Sequence, residues 1–226
     1  VIKPTKLSAY DTARKGGLIA IDLDEGDSLC WVRVTSGSDD LIVATKKGMA
    51  IRFHETEVRE LSRTARGVRV MKLDEGDCIV GMSILREGGL VLTVTETGFG
   101  RLSAPENYRV QKRGGKGLLN YHTEKFGDVA AIKVVDMDDD VILISEDGVI
   151  IRIAASSIRV CARPSKGVRV MKLAEGSKVV TLARVPHEED EVDQVDIEDD
   201  GTADEGGDTP DLPEEESEDM PQETEE

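Results

Sequence analysis

Short runs of Val, Ile and Leu alternate along most of the chain with clusters of Gly, Asp and Glu, a pattern of brief strands separated by tight turns. LIVAT-KKG-MAIRF (41–53), LVLTVT-ETG-FGRL (90–102) and VILIS-EDG-VIIRI (141–153) each read as two strands around a three-residue connection. Gly48, Gly98 and Gly148 stand where such a connection needs a positive φ. Val141 to Ile144 are apolar at every position, which predicts strands covered on both faces rather than half-solvated ones.

The pattern is periodic. RTARGVRVMKLDEGD (63–77) returns as RPSKGVRVMKLAEGS (163–177), two periods on, and Gly17, Gly67, Gly117 and Gly167 mark a spacing of 50 residues. ARKGGLIAIDLDEGD (13–27) keeps the frame, and KRGGKGLLNYHTEKFGD (112–128) is a looser copy. Within 67–116 the strands read as Val68 to Leu73, CIVGMSIL (78–85), LVLTVT (90–95) and FGRL (99–102). Four short strands per 50-residue repeat predict an all-β, propeller-like array of stacked blades, with full repeats at 17–66, 67–116 and 117–166 and part-repeats at both ends. A β-sandwich would require no such period, and an α-solenoid fits neither the Val and Ile enrichment nor the glycine-punctuated hairpins.

Charge changes the picture, because it is segregated. The net charge is −17, yet 21 of the 46 acidic residues and none of the 29 basic ones lie between His187 and Glu226. The body, residues 1–186, therefore carries 25 acids against 29 bases. The acidic segment 187–226, rich in Gly, Pro, Ser and Thr, is expected to be a disordered tail. It reads either as a solubilising tail or as a polyanion that competes for the basic surface of the body.

The basic residues fall in the segment before each first strand: Arg14 and Lys15; Arg63, Arg66 and Arg69; Arg109, Lys112, Arg113 and Lys116; Arg163, Lys166 and Arg169. One such cluster would read as a solvated surface, but several at one phase of a blade array predict a belt along a single rim. Gly114, Gly115 and Gly117 would let backbone N–H groups come close to phosphate oxygens. No recognition helix is evident and aromatics make up 3% of the chain, so duplex backbone contact is expected rather than base stacking.

Little else carries chemistry. Cys30, Cys78 and Cys161 form no CxxC, so neither a disulfide framework nor a zinc site is expected, and a reducing cytoplasm fits. His54, His122 and His187 share no metal-ligand spacing, Tyr10, Tyr108 and Tyr121 match no catalytic motif, and Asp136 to Asp140 (DMDDD) fall at the phase of a blade turn. No P-loop or nucleophile elbow is present, and no apolar run suggests a membrane span.

QKRGGKG (111–117) resembles the gyrase A box, the Q-(R/K)-R-G-G-(K/R)-G heptapeptide of bacterial DNA gyrase A subunits, and 44–77 and 92–117 resemble later blades of the same C-terminal domain. The resemblance covers about residues 1–185. It implies a β-pinwheel that wraps duplex DNA around its basic edge in support of ATP-dependent negative supercoiling, with Gln111 to Gly117 among the DNA-contacting residues. The partners it implies are double-stranded DNA, the B subunit of gyrase and a second A subunit, with no membrane or small-molecule substrate. ATP and Mg²⁺ would belong to other parts of the enzyme, so this chain would hold no cofactor and no catalytic residue. In the family the box lies in the first blade; here it follows two earlier repeats, which places the chain at about blades three to six, with the Val start read as that of a fragment. The alternatives are the equivalent C-terminal domain of topoisomerase IV and a protein-interaction propeller.

Overall fold

The computed structural model describes residues 1–12 and 15–186, all within one compact unit. The strands are β1 (Asp40–Thr45), β2 (Met49–His54), β3 (Ile79–Leu85), β4 (Leu90–Thr95), β5 (Phe99–Ser103), β6 (Leu118–Leu119), β7 (Val129–Val135), β8 (Asp140–Ser145), β9 (Ile150–Ala154), β10 (Val168–Arg169) and β11 (Val179–Val185). They form three antiparallel sheets in the orders β3-β1-β2-β6, β10-β5-β4-β7 and β11-β8-β9.

The three hairpins form where the sequence places them. Gly48, Gly98 and Gly148 have φ of 85°, 80° and 84°, and each N–H bonds back to the carbonyl three residues earlier. A buried hydroxyl at the end of each first strand completes the turn: Thr45, Thr95 and Ser145 accept from the N–H of Met49, Phe99 and Val149, each at 3.2 Å.

Pairing beyond the hairpins departs from the expected unit. Residues 67–116 do not fold as one four-stranded blade. β3 joins the hairpin before it, while β4 and β5 take β7 and β10 from later in the chain. The four-residue link 86–89 reads locally as a hairpin, but it carries the chain from one sheet to the next. The reason is steric and apolar. β3 lies face to face on β7, so close that a Cβ at Gly81 would sit 2.6 Å from Ile132 Cγ2, and this stacking covers the second apolar face of β1 and of β4. Val68 to Leu73 contributes only an isolated bridge from Val68 to Ile2.

Two faces per strand explain the apolar runs. Ile42 and Ala44 pack toward the second sheet with Val91 and Ile132, while Leu41 and Val43 pack on the other side with Phe53, Val58 and Met71. Leu92 and Val94 in turn meet Val141 and Leu143 of the third sheet. The expectation fails only at the end of the stack, where Val141 and Leu143 are buried but Ile142 and Ile144 are half-buried and Ile150 is 63% exposed. No fourth strand borders β9, so that sheet has a bare edge and a bare face among the described residues.

The part-repeat at the N-terminus also differs from expectation. Residues 15–39 contain no strand, and Ile19, Val32 and Val34 are exposed. Their counterpart β3 is held by the hairpin that begins at Asp40, 39 residues before Ile79, whereas no hairpin precedes 29–35 among the described residues. The expectations for the acidic segment 187–226 lie outside the described residues.

Candidate nucleic-acid interface

Of the loops that carry the expected basic clusters, those at 109–116 and 163–167 lead into β6 and β10, each the edge strand of its sheet, and those with Lys15 and with Arg63 and Arg66 lead into no strand. They are joined to one another. Arg63 donates to the carbonyl of Ile19, Arg113 to that of Arg69, and Arg163 to that of Leu119, so the loops around 19, 67, 117 and 167 form a contiguous series along one side of the stack. The backbone adds to the series, with Gly114 N–H donating to Val70 O at 2.7 Å and Lys72 N–H to Gly115 O at 2.8 Å.

Side-chain exposure divides the sixteen expected residues. Lys15, Arg66, Arg69, Arg109, Lys112, Lys116, Lys166 and Arg169 are exposed, whereas Arg63, Arg113 and Arg163 are half-buried. Arg14 lies outside the described residues. Two of the exposed cations are paired with acids of the preceding repeat's turn: Arg66 with Asp24 at 2.6 Å and Lys116 with Asp74 at 2.7 Å. Lys116 holds the Asp74 carboxyl below its usual range. Lys166 and Arg169 stand over the Phe99 ring, 4.1 and 4.7 Å from its centre, which fixes where their charge is presented.

The glycines of QKRGGKG serve the backbone more than a ligand. The Gly114 N–H, offered to phosphate by the sequence reading, is turned inward to Val70. Gly117, with φ 80°, lies against β2 so that a Cβ would come within 2.4 Å of Ala50 O. Gly115 has neither a positive φ nor a close neighbour, since an added Cβ would come no nearer than 3.9 Å, to Lys112 O. Gln111 pairs its N–H with Arg52 O, and its side-chain Nε2 is buried with no partner among the described residues.

Two features escaped the sequence reading. Arg59 and Arg159 are exposed and lie 50 residues on either side of Arg109, so the period itself marked them. Arg101 is fully buried, donates through Nη2 to the backbone and side-chain oxygens of Asn120, and lies 5.0 Å from the Tyr121 ring centre. Its Nε and Nη1 have no partner among the described residues, and burial lowers its pKa. The equivalent positions, Ile51 and Ile151, are apolar. In the outer hairpins Arg52 and Arg152 instead bond Asp40 and Asp140, a pair that Leu90 and Leu102 replace in the middle hairpin.

The DMDDD turn is charge-balanced by arginine. Arg86 and Arg184 both reach Asp136 and Asp139. Burial works to raise the Asp139 carboxyl, but the Arg184 bond, the Asp136 N–H and Arg86 outweigh it and hold it low. Among the described residues no group of three or more His, Cys, Asp and Glu is placed to hold a metal, and no helix is long and apolar enough to cross a membrane.

Antiparallel sheets interlocked on a 50-residue period, with a basic loop at the same edge of the first two, define a β-propeller-type repeat domain. A family model described as DNA gyrase C-terminal domain, beta-propeller, matches residues 2–36, 39–86, 89–136 and 139–186, and the chain belongs to that family. It is 38% identical over 193 residues to a DNA gyrase A subunit of Staphylococcus epidermidis, covering 84% of this chain and 22% of that one. It is 35% identical over 206 residues to the DNA gyrase A subunit of Mycolicibacterium smegmatis, covering 90% and 24%. The chain thus spans about a quarter or less of the length of these relatives. Among solved structures it is similar to the C-terminal domain of DNA topoisomerase IV, with a TM-score of 0.76, 26% identity and coverage of 82% and 58%. It is also similar to a DNA gyrase A C-terminal domain, with a TM-score of 0.68, 28% identity and coverage of 76% and 59%.

Proposed function

We propose that this chain binds duplex DNA along its basic edge and bends it, as the DNA-wrapping part of a gyrase that introduces negative supercoils. The observation that carries the reading is the hydrogen-bonded series of loops, on which eight Lys and Arg side chains are exposed. A duplex laid against that series gains a phosphate contact at each loop, and the gain from many contacts offsets the bending energy. Sequence preference is weak on this reading, because no element among the described residues is shaped to enter a groove. Its partners in the whole enzyme are the B subunit of gyrase and a second A subunit, with ATP and Mg²⁺ acting elsewhere in the assembly, in the cytoplasm on the chromosome.

Salt dependence tests the reading directly. Engagement of about 8–10 phosphates gives a slope near −7 to −9 for log K against log salt concentration. A slope near zero removes it and leaves a protein-interaction surface. Bending is tested separately by closing nicked plasmid in the presence of the chain and measuring the linking-number change, which is nonzero if the duplex is wrapped. The topoisomerase IV reading has the structural likeness in its favour, but the identities of 35–38% to gyrase A subunits over most of the chain favour gyrase.

A further inference from the structure

Three arginines recur at one phase of the repeat; two of them repeat one pair of contacts and the third shares one contact of that pair. Arg113 donates through Nη1 to the carbonyl of Arg69 at 3.2 Å and through Nε to that of Glu57 at 2.9 Å. Arg163 does the same to Leu119 and, at 2.7 Å, to Asn107. Arg63 reaches the carbonyl of Ile19. The Nη1 acceptor lies 44 residues back in all three cases, and the Nε acceptor of Arg113 and of Arg163 lies 56 back.

The acceptors show what is being joined. Leu119 belongs to β6, the edge of the first sheet, and Arg163 stands on the loop that leads into β10, the edge of the second. One guanidinium therefore fastens the edge strand of one sheet to the entry loop of the next, and it lies 5.2 Å from the centre of the Tyr108 ring, which braces it. Arg113 makes the matching bonds one repeat earlier, tying the entry loop of β6 to Arg69 and Glu57, which lie outside any sheet. A guanidinium can do this because its donors form a rigid planar fork; an ammonium cannot hold two carbonyls in that geometry. Swinging out to a phosphate would leave both carbonyls unpaired. Three residues further on, Arg66, Lys116 and Lys166 are exposed and have no carbonyl acceptor among the described residues.

We propose that Arg63, Arg113 and Arg163 are positioning residues, which clasp successive basic loops at a fixed spacing and so set the curvature imposed on bound duplex, while Arg66, Lys116 and Lys166 meet the phosphates. The proposal rests on the DNA reading above. A duplex resists bending over lengths of about 150 base pairs, and a rim free to flex would let it straighten.

The test compares Arg113→Ala, Arg113→Lys and Lys116→Ala in the full chain. End-to-end energy transfer on a duplex of about 150 base pairs reports bending, and the salt slope on a stiff duplex of about 15 base pairs reports phosphate contacts. Both Arg113 variants should lower the bent fraction at least about threefold while leaving the short-duplex slope unchanged, and Lys116→Ala should reduce that slope by about 0.9. A lysine at 113 that behaves as wild type overturns the proposal, as does an alanine there that leaves bending intact or reduces the short-duplex slope by about 0.9. Should either variant fail to fold, the wild-type Nε–H signals of Arg113 and Arg163 decide. Slow exchange with water, and shifts unmoved by added duplex, support the clasp; exchange as fast as that of Arg66 ends it. If wild type shows no salt-dependent duplex binding, the DNA reading fails, and those same signals still decide whether the arginines are clasps.

Discussion

Replacing Gly117 by alanine should weaken the fold far more than replacing Gly114, although both glycines have nearly the same backbone, φ 80° and 83°. The left-handed conformation costs any non-glycine residue about 1–2 kcal/mol, and this part is common to both. The surroundings differ. At Gly114 an added Cβ meets nothing within 4 Å, whereas at Gly117 it would lie 2.4 Å from Ala50 O and 2.8 Å from Ala50 C, backbone atoms of β2 that no rotamer change can move. Relief requires β6 to lift from β2, giving up the pairing of Leu118 with Ala50 and Leu119 with Met49. Loss of two backbone bonds at about 1 kcal/mol each brings Gly117→Ala to about 3–4 kcal/mol, against about 1–2 for Gly114→Ala. With a urea slope of about 2 kcal/mol per molar, the unfolding midpoints fall by about 1.5–2 M and 0.5–1 M respectively. Equal shifts for the two variants would refute the reasoning, because they would mean that conformation alone, and not the close approach to β2, sets the requirement for glycine.

Two further outcomes follow from the charges and the buried phenols. Asp74→Asn removes the acidic partner that competes with phosphate for Lys116, so duplex binding should tighten with little change in salt slope, read by fluorescence anisotropy; an unchanged affinity would mean that Lys116 does not meet phosphate. Tyr121 is buried, its hydroxyl donates to the Lys166 carbonyl, and burial pushes its pKa up to about 12. Folding therefore favours the neutral phenol: this contribution is complete below the unfolded value of about 10 and is lost as pH rises to about 12, at a slope of about 1.4 kcal/mol per pH unit. Tyr121→Phe should flatten that part of the stability profile, measured by urea melts with tyrosinate absorbance as the check.

The hairpins were legible because their cause is local. A hydroxyl at 45, 95 or 145 and a glycine three residues later close a turn regardless of what lies across the sheet. The partner of β3 was not legible, since β3 and β4 are separated by a link that would serve equally for a hairpin. What decides between them is the two-faced burial of β1 and β4, a property of the assembled stack. The candidate rim was readable as charge but not as direction. Arg113 and Lys116 look alike in sequence, yet one turns inward to two carbonyls and the other outward. Their difference was hidden because a guanidinium's preference for paired acceptors shows only when those acceptors, 44 and 56 residues away, are in place. The exchange of Asp40 and Arg52 for Leu90 and Leu102, by contrast, is a paired change visible in the repeats once their register is known.

Because β6 sits in the first sheet while the chain around it builds the second, a nick in the turn at Pro105–Asn107 would not part the molecule. The downstream piece would still lend β6 to β2 and β7 to β4, so the two halves would stay clasped like links of a chain. Cutting one peptide bond would remove the covalent thread without opening any sheet, and severed fragments mixed together have a route to find each other again.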